Sequence, residues 1–96
     1  MQRDPEGIET AYLHEFGALA GARVLEIGCG AGRLTWRYAA AARRVTGIEP
    51  DIERVRLASR ECPAGLRPIV TFALARSEAL PFPRGTFDRA IFAWSL

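Results

Sequence analysis

Val24-Leu25-Glu26-Ile27-Gly28-Cys29-Gly30-Ala31-Gly32-Arg33-Leu34 passes from an apolar run through three alternate glycines into a helix-like segment. That succession predicts a strand, a tight turn and a helix start. Glycines at 28, 30 and 32 let the backbone reverse sharply, bring its amides close to a ligand and aim the helix N–H groups at the same point. Glycine-rich turns also serve plain chain reversal in many α/β proteins, so spacing and charge must carry the functional argument. A dinucleotide fingerprint needs its third glycine three residues after the second, and Arg33 stands there. Glu26 sets a carboxylate two residues before the first glycine, where it suits a cation better than a pyrophosphate.

On both sides the chain keeps the rhythm of parallel βαβ units. Asp4-Pro5 opens a leading helix within 1–21, with Ile8, Tyr12, Phe16 and Leu19 at helical spacing and Gly21 as its stop. Strands are expected over 24–27, 44–49, 69–74 and 90–94, and helices over 32–42 and from the cap Asp51 to about 61. Cys62-Pro63-Ala64-Gly65 breaks the second helix, and Pro81 and Pro83 exclude regular structure before the fourth strand.

Ninety-six residues allow one domain at most, and an apolar share of 49% suits a folded chain rather than a disordered one. No apolar run reaches the ~20 residues of a membrane span, and Met1-Gln2-Arg3-Asp4-Pro5-Glu6 has no apolar leader segment. A cytoplasmic protein without a membrane partner is expected. All thirteen basic residues are Arg, yet net charge is only +2 and acids interleave with them, so no nucleic-acid partner is expected. Cys29 and Cys62 lack a CxxC pair or nearby histidines, which argues against a metal site or disulfide framework. His14, Trp36 and Trp94 read as surface or packing residues, and none is assigned a catalytic role.

The stretch 24–32 resembles motif I of the class I S-adenosylmethionine-dependent methyltransferases, in its acidic-x-Gly-x-Gly-x-Gly form. The resemblance implies S-adenosylmethionine as cofactor, whose sulfonium and ammonium agree with the charge argument. It implies that Gly28 and Gly30 hold the methionine and ribose portions against bare backbone. Cys29 and Gly32 complete that loop through backbone contacts, and Glu26 reaches the ammonium directly or through water. Glu49, seventeen residues beyond Gly32, matches the family's ribose-binding acid, since a carboxylate accepts two charge-assisted bonds from a diol. Pro50 then lies against the adenine.

The segment 75–88 resembles the Asp-Ala-Glu-x-Leu-Pro-Phe…Phe-Asp pattern of quinone-biosynthesis and other small-molecule methyltransferases, matching at Glu78 to Phe82 and at Phe87-Asp88. It departs at Arg76, where the subgroup carries an adenine-reading aspartate. An Arg offers no acceptor, so Arg76 is expected to stack on the purine while Ser77 gives its backbone N–H to the ring.

The family's strand order is 3-2-1-4-5-7-6. The resemblance therefore implies an α/β, Rossmann-like doubly wound sheet, truncated after about four parallel strands in the order 3-2-1-4, with a leading helix at 1–21 and the cofactor-binding half at 22–96. Strand four becomes an edge, expected to pair with a partner or a second copy as a homodimer. The implied activity is in-line methyl transfer to a small-molecule substrate. The alternative is a cofactor-binding module or truncated remnant without turnover.

Overall fold

The computed structural model describes residues 19–93; residues 1–18 of the expected leading helix, His14 among them, and Trp94 lie outside the described residues, while Leu19 is buried and Gly21 takes a positive φ of 67. The elements are β1 (Arg23–Ile27), α1 (Thr35–Tyr38), β2 (Arg44–Glu49), α2 (Ile52–Glu61), β3 (Val70–Leu74) and β4 (Arg89–Phe92), with 3-10 turns at Ala39–Ala41 and Ala64–Leu66. The strands form one parallel sheet in the order β3-β2-β1-β4. This is the Rossmann-like order expected. Register is tight at the centre, with Glu26 beside Gly47 and Ile27 beside Ile48.

Alternation along the strands sorts side chains onto two faces. Val24, Val45 and Val70 pack on one face with Leu34, Tyr38, Ala39 and Cys62 from the helical segments. Leu25, Ile27 and Ile48 point to the other, where Phe82 and Phe87 of the β3–β4 crossing cover them. These two rings meet edge to face, with centroids 5.0 Å apart, so the proline-rich crossing replaces a helix with an aromatic lid. Its far end is tied down by Asp88. That carboxylate accepts from the Arg23 backbone N–H at 2.9 Å and from the guanidinium at 2.8 and 3.2 Å, while the Asp88 N–H donates to the Arg23 carbonyl. These bonds hold the Asp88 carboxyl well below the usual carboxylate range.

The first helix departs from expectation. Instead of spanning 32–42, it makes one turn at Thr35–Tyr38 and tightens into 3-10 geometry over Ala39–Ala41. Gly32 has φ +90, a left-handed conformation that cannot belong to a right-handed helix, and Leu34 at the N-cap supplies no capping side chain. The turn is held by packing instead: the Trp36 ring fills the space where a Gly32 Cβ would stand and meets Phe72 edge on. By contrast, α2 begins as expected, with Asp51 accepting from the Glu53 N–H at 2.9 Å.

Gly47 is required by close approach. A Cβ there would meet Cys29 Sγ and Phe72 Cδ1 at 2.9 Å each, so β2 accepts the glycine loop only because it has no side chain at this point. Gly47→Ala should therefore cost about 1–3 kcal/mol in urea unfolding. An unchanged midpoint would contradict this packing.

Candidate cofactor-binding cleft

In this topology β2 and β3 step to one side of β1 and β4 returns to the other, so the crevice opens at the carboxyl ends of the strands. A cleft of about 380 Å³ lies there. Its lining comprises Ile27 and Gly28 at the end of β1, Ile48, Glu49 and Pro50 at the end of β2, Arg54 of α2, and Ala75 to Glu78 after β3.

The glycine loop crosses one end of the cleft. Gly28, Gly30 and Gly32 all have positive φ, from +57 to +90, a region that side chains disfavour. The amides of Gly28, Cys29, Gly30 and Gly32 all donate within the protein. The Gly28 and Cys29 N–H groups both donate to the Ile48 carbonyl at 2.9 and 3.0 Å, Gly32 donates to Cys29, and Gly30 donates to Glu49 Oε1 at 3.0 Å. The physical reason is that a loop crossing so close over β2 must satisfy its own buried donors there. With those amides turned inward and α1 only one turn long, the three glycines present no free N–H to an anion.

Glu49 is the pivot of the cleft. Its side chain is 5% exposed, yet it lines the cavity, with Oε1 accepting from Gly30 N–H and Oε2 from Asp51 N–H, both at 3.0 Å. One carboxylate thus ties the loop after β1 to the start of α2.

Glu26 takes a different position from the one its sequence neighbours suggest. It is fully buried beneath the loop and is not among the cleft-lining residues. Oε1 accepts from Tyr38 OH at 2.6 Å and Thr35 Oγ1 at 2.7 Å, while Oε2 has no hydrogen-bond partner. A buried charged oxygen left unmatched costs about 1–3 kcal/mol or more. Burial pushes the Glu26 carboxyl above the ordinary value of 4.5, against the opposing effect of the Tyr38 and Thr35 bonds. The Tyr38 phenol is pushed up by burial and by the Glu26 charge, so it remains a donor.

Cys29 is 5% exposed, with its thiol over Gly47 and its amide committed to Ile48. Burial, then the charges of Glu26 and Glu49, push this thiol up to about 12, which leaves it inert at neutral pH. Pro50, Arg76 and Ser77 all line the cleft as an exposed rim. Arg76 makes no salt bridge with the described residues. Arg54 and Glu78 join the lining without having been singled out for it. Arg54 is spaced as an ordinary helix-surface residue, and only the position of α2 beside the cleft brings it in. The Thr35–Tyr38 partnership with Glu26 was also missed, though three-residue spacing on a helix following a buried acid was its one available signal.

Residues 24–96 match the family model described as a methyltransferase domain. The chain belongs to the methyltransferase-domain family. S-adenosylmethionine is the cofactor of this methyltransferase domain. The domain is 38% identical over 78 residues to a tRNA U34 carboxymethyltransferase of Alcanivorax borkumensis, covering 74% of this chain and 22% of that protein. It is 35% identical over 74 residues to a ubiquinone biosynthesis O-methyltransferase of Methylocella silvestris, covering 76% of this chain and 28% of that protein. The chain thus spans about a quarter of the length of these curated relatives. Among solved structures, an S-adenosylmethionine-dependent methyltransferase from Aquifex aeolicus superposes at TM-score 0.75 and 26% identity, over 94% of this chain and 52% of that one. The [4+2]-cyclase SpnF superposes at TM-score 0.74 and 31% identity, over 86% of this chain and 31% of that one.

The Glu26 shift has a definite sign. Because the folded value lies above the unfolded one, the folded methyltransferase domain binds more protons than the unfolded chain at intermediate pH. Glu26 therefore withdraws stability as pH climbs from about 4.5 through its folded value. Glu26→Gln, which cannot titrate, should gain stability relative to wild type over that climb in urea unfolding. A difference independent of pH would contradict the shift.

Proposed function

We propose that this chain is the donor-binding part of a cytoplasmic S-adenosylmethionine-dependent methyltransferase acting on a small-molecule acceptor. Glu49 carries the reading: a buried carboxylate on the cleft wall whose two oxygens each accept a single backbone N–H. A carboxylate offers about four acceptor sites. One therefore remains on each oxygen, which is what a ribose diol requires.

The other residues fit the same ligand. Ile27, Ile48, Pro50 and Ala75 supply apolar surface for a purine, Arg76 offers a planar guanidinium for stacking, and Ser77 its backbone N–H. Gly28 and Gly30, with Cys29 and Gly32 holding the turn, leave bare backbone and no free amide at those glycines to attract a phosphate. Glu26, with its unmatched oxygen, suits a cation. Because it is fully buried, it acts on the donor's ammonium from beneath the loop, through its field or a bridging water.

The bound donor supplies an electrophilic methyl group on a sulfonium. The work left to the chain is orientation and exclusion of water, and alignment of this kind lowers barriers by about 7–11 kcal/mol in well-held systems. Glu49 fixes the sugar, the apolar walls fix the base, and the loop fixes the amino-acid end. No described residue is assigned a proton-transfer role.

A second reading, cofactor binding without methyl transfer, is favoured by the similarity to a cyclase, because one scaffold hosts several chemistries. A relative named for tRNA makes an RNA acceptor the contrasting outcome. Methyl-labelled donor incubated with small-molecule extract and, separately, with tRNA should label only the former. Label in tRNA would replace the acceptor class, and binding without label in either would favour the second reading. Glu49→Ala should weaken S-adenosylhomocysteine binding by about ten- to a hundredfold in calorimetry. Undiminished affinity would overturn the role given to Glu49.

A further inference from the structure

The Glu26 carboxylate is loaded unevenly. Both of its hydroxyl partners, Tyr38 and Thr35, converge on Oε1, and Oε2 is left without one in full burial. A carboxylate kept only for structure gains more by sharing donors over both oxygens, since each unmatched buried oxygen carries its own desolvation cost.

We propose that Tyr38 and Thr35 form a paired-hydroxyl brace that fixes the Glu26 carboxylate beneath the glycine loop, so that its second oxygen acts on the donor's ammonium through its field or a bridging water. The inference rests on the S-adenosylmethionine reading above and assigns Tyr38 as a positioning residue for that site. Residues 35 and 38 lie three apart on α1 and so share one face. Both hydroxyls bond at charge-assisted distances, which narrows the orientations open to the carboxylate.

The brace does not depend on helix length. One turn of α-helix is marginal by itself, but Tyr38 is packed in the core with Val24, Ala39 and Val45. The Trp36 ring, between the two hydroxyls, is pinned over Gly32 and against Phe72, and the Trp36 backbone N–H donates to the Gly32 carbonyl at 3.1 Å. The glycine turn and the brace therefore move as one body, so the loop that carries the ligand also carries the acceptor beneath it.

Two ligands separate this role from a merely structural one. S-adenosylhomocysteine carries the ammonium, whereas 5′-methylthioadenosine keeps the nucleoside and thioether and lacks the amino-acid end. In calorimetry on the full chain, Tyr38→Phe, which keeps the ring and removes the hydroxyl, should weaken S-adenosylhomocysteine about tenfold and leave methylthioadenosine unchanged. Equal weakening of both, or of neither, would overturn the brace. Wild type that binds neither ligand would overturn the cofactor reading, and the brace with it. If Tyr38→Phe does not fold, Thr35→Val carries the same test with the same outcomes.

Discussion

The Glu49 carboxylate holds together three pieces of chain that the sheet alone would not bring into register. Its oxygens accept from the loop after β1 and from the first residue before α2, while its own backbone carbonyl accepts from Ala75 after β3. Every wall of the cleft is thus referred to one residue at the end of β2. This is why a buried acid at that point is tolerated: both oxygens are matched by backbone donors, and the acceptor capacity left over faces the cavity. The same residue that organises the cleft is available to bind in it.

The two buried acids are handled in opposite ways. Glu49 is bonded by backbone groups on both oxygens, whereas Glu26 is bonded by side chains on one and withdraws stability as pH rises. A fold selected for stability alone would fill the Glu26 position with an apolar residue, as at the neighbouring Leu25 and Ile27. The role proposed for Glu26 toward the donor would account for the stability given up there.

Much of the fold was legible because local signals agreed. Apolar runs bounded by turn residues marked the four strands within a residue or two over the described range, and Asp51 marked the start of α2 to the residue. The length of α1 was not legible. Ala-rich sequence after Arg37 favours helix by propensity, but Gly32 at positive φ and the pull of β2 confine it to a single turn. Spacing and charge pointed to the glycine loop and to Glu49; Gly28 and Glu49 line the cleft, whereas Cys29, Gly30 and Gly32 are not among its lining residues. Those signals could not reveal where the loop amides donate, because that depends on the Ile48 carbonyl and the Glu49 side chain, which only tertiary structure brings within reach. Nor does Glu26 reveal from its position whether it opens to the cleft, as β-strand alternation sends it toward α1.

Two backbone amides report the central interaction directly, since Gly30 and Asp51 both donate to the Glu49 carboxylate. Nitrogen-edited NMR of the uniformly labelled chain, titrated with S-adenosylhomocysteine, reads them individually. The account predicts the largest shifts at Gly28, Gly30, Asp51 and residues 76–78, with Arg43, Arg44 and Arg67 at the opposite end of the strands unmoved. Saturable shifts that leave Gly30 and Asp51 unchanged would contradict it.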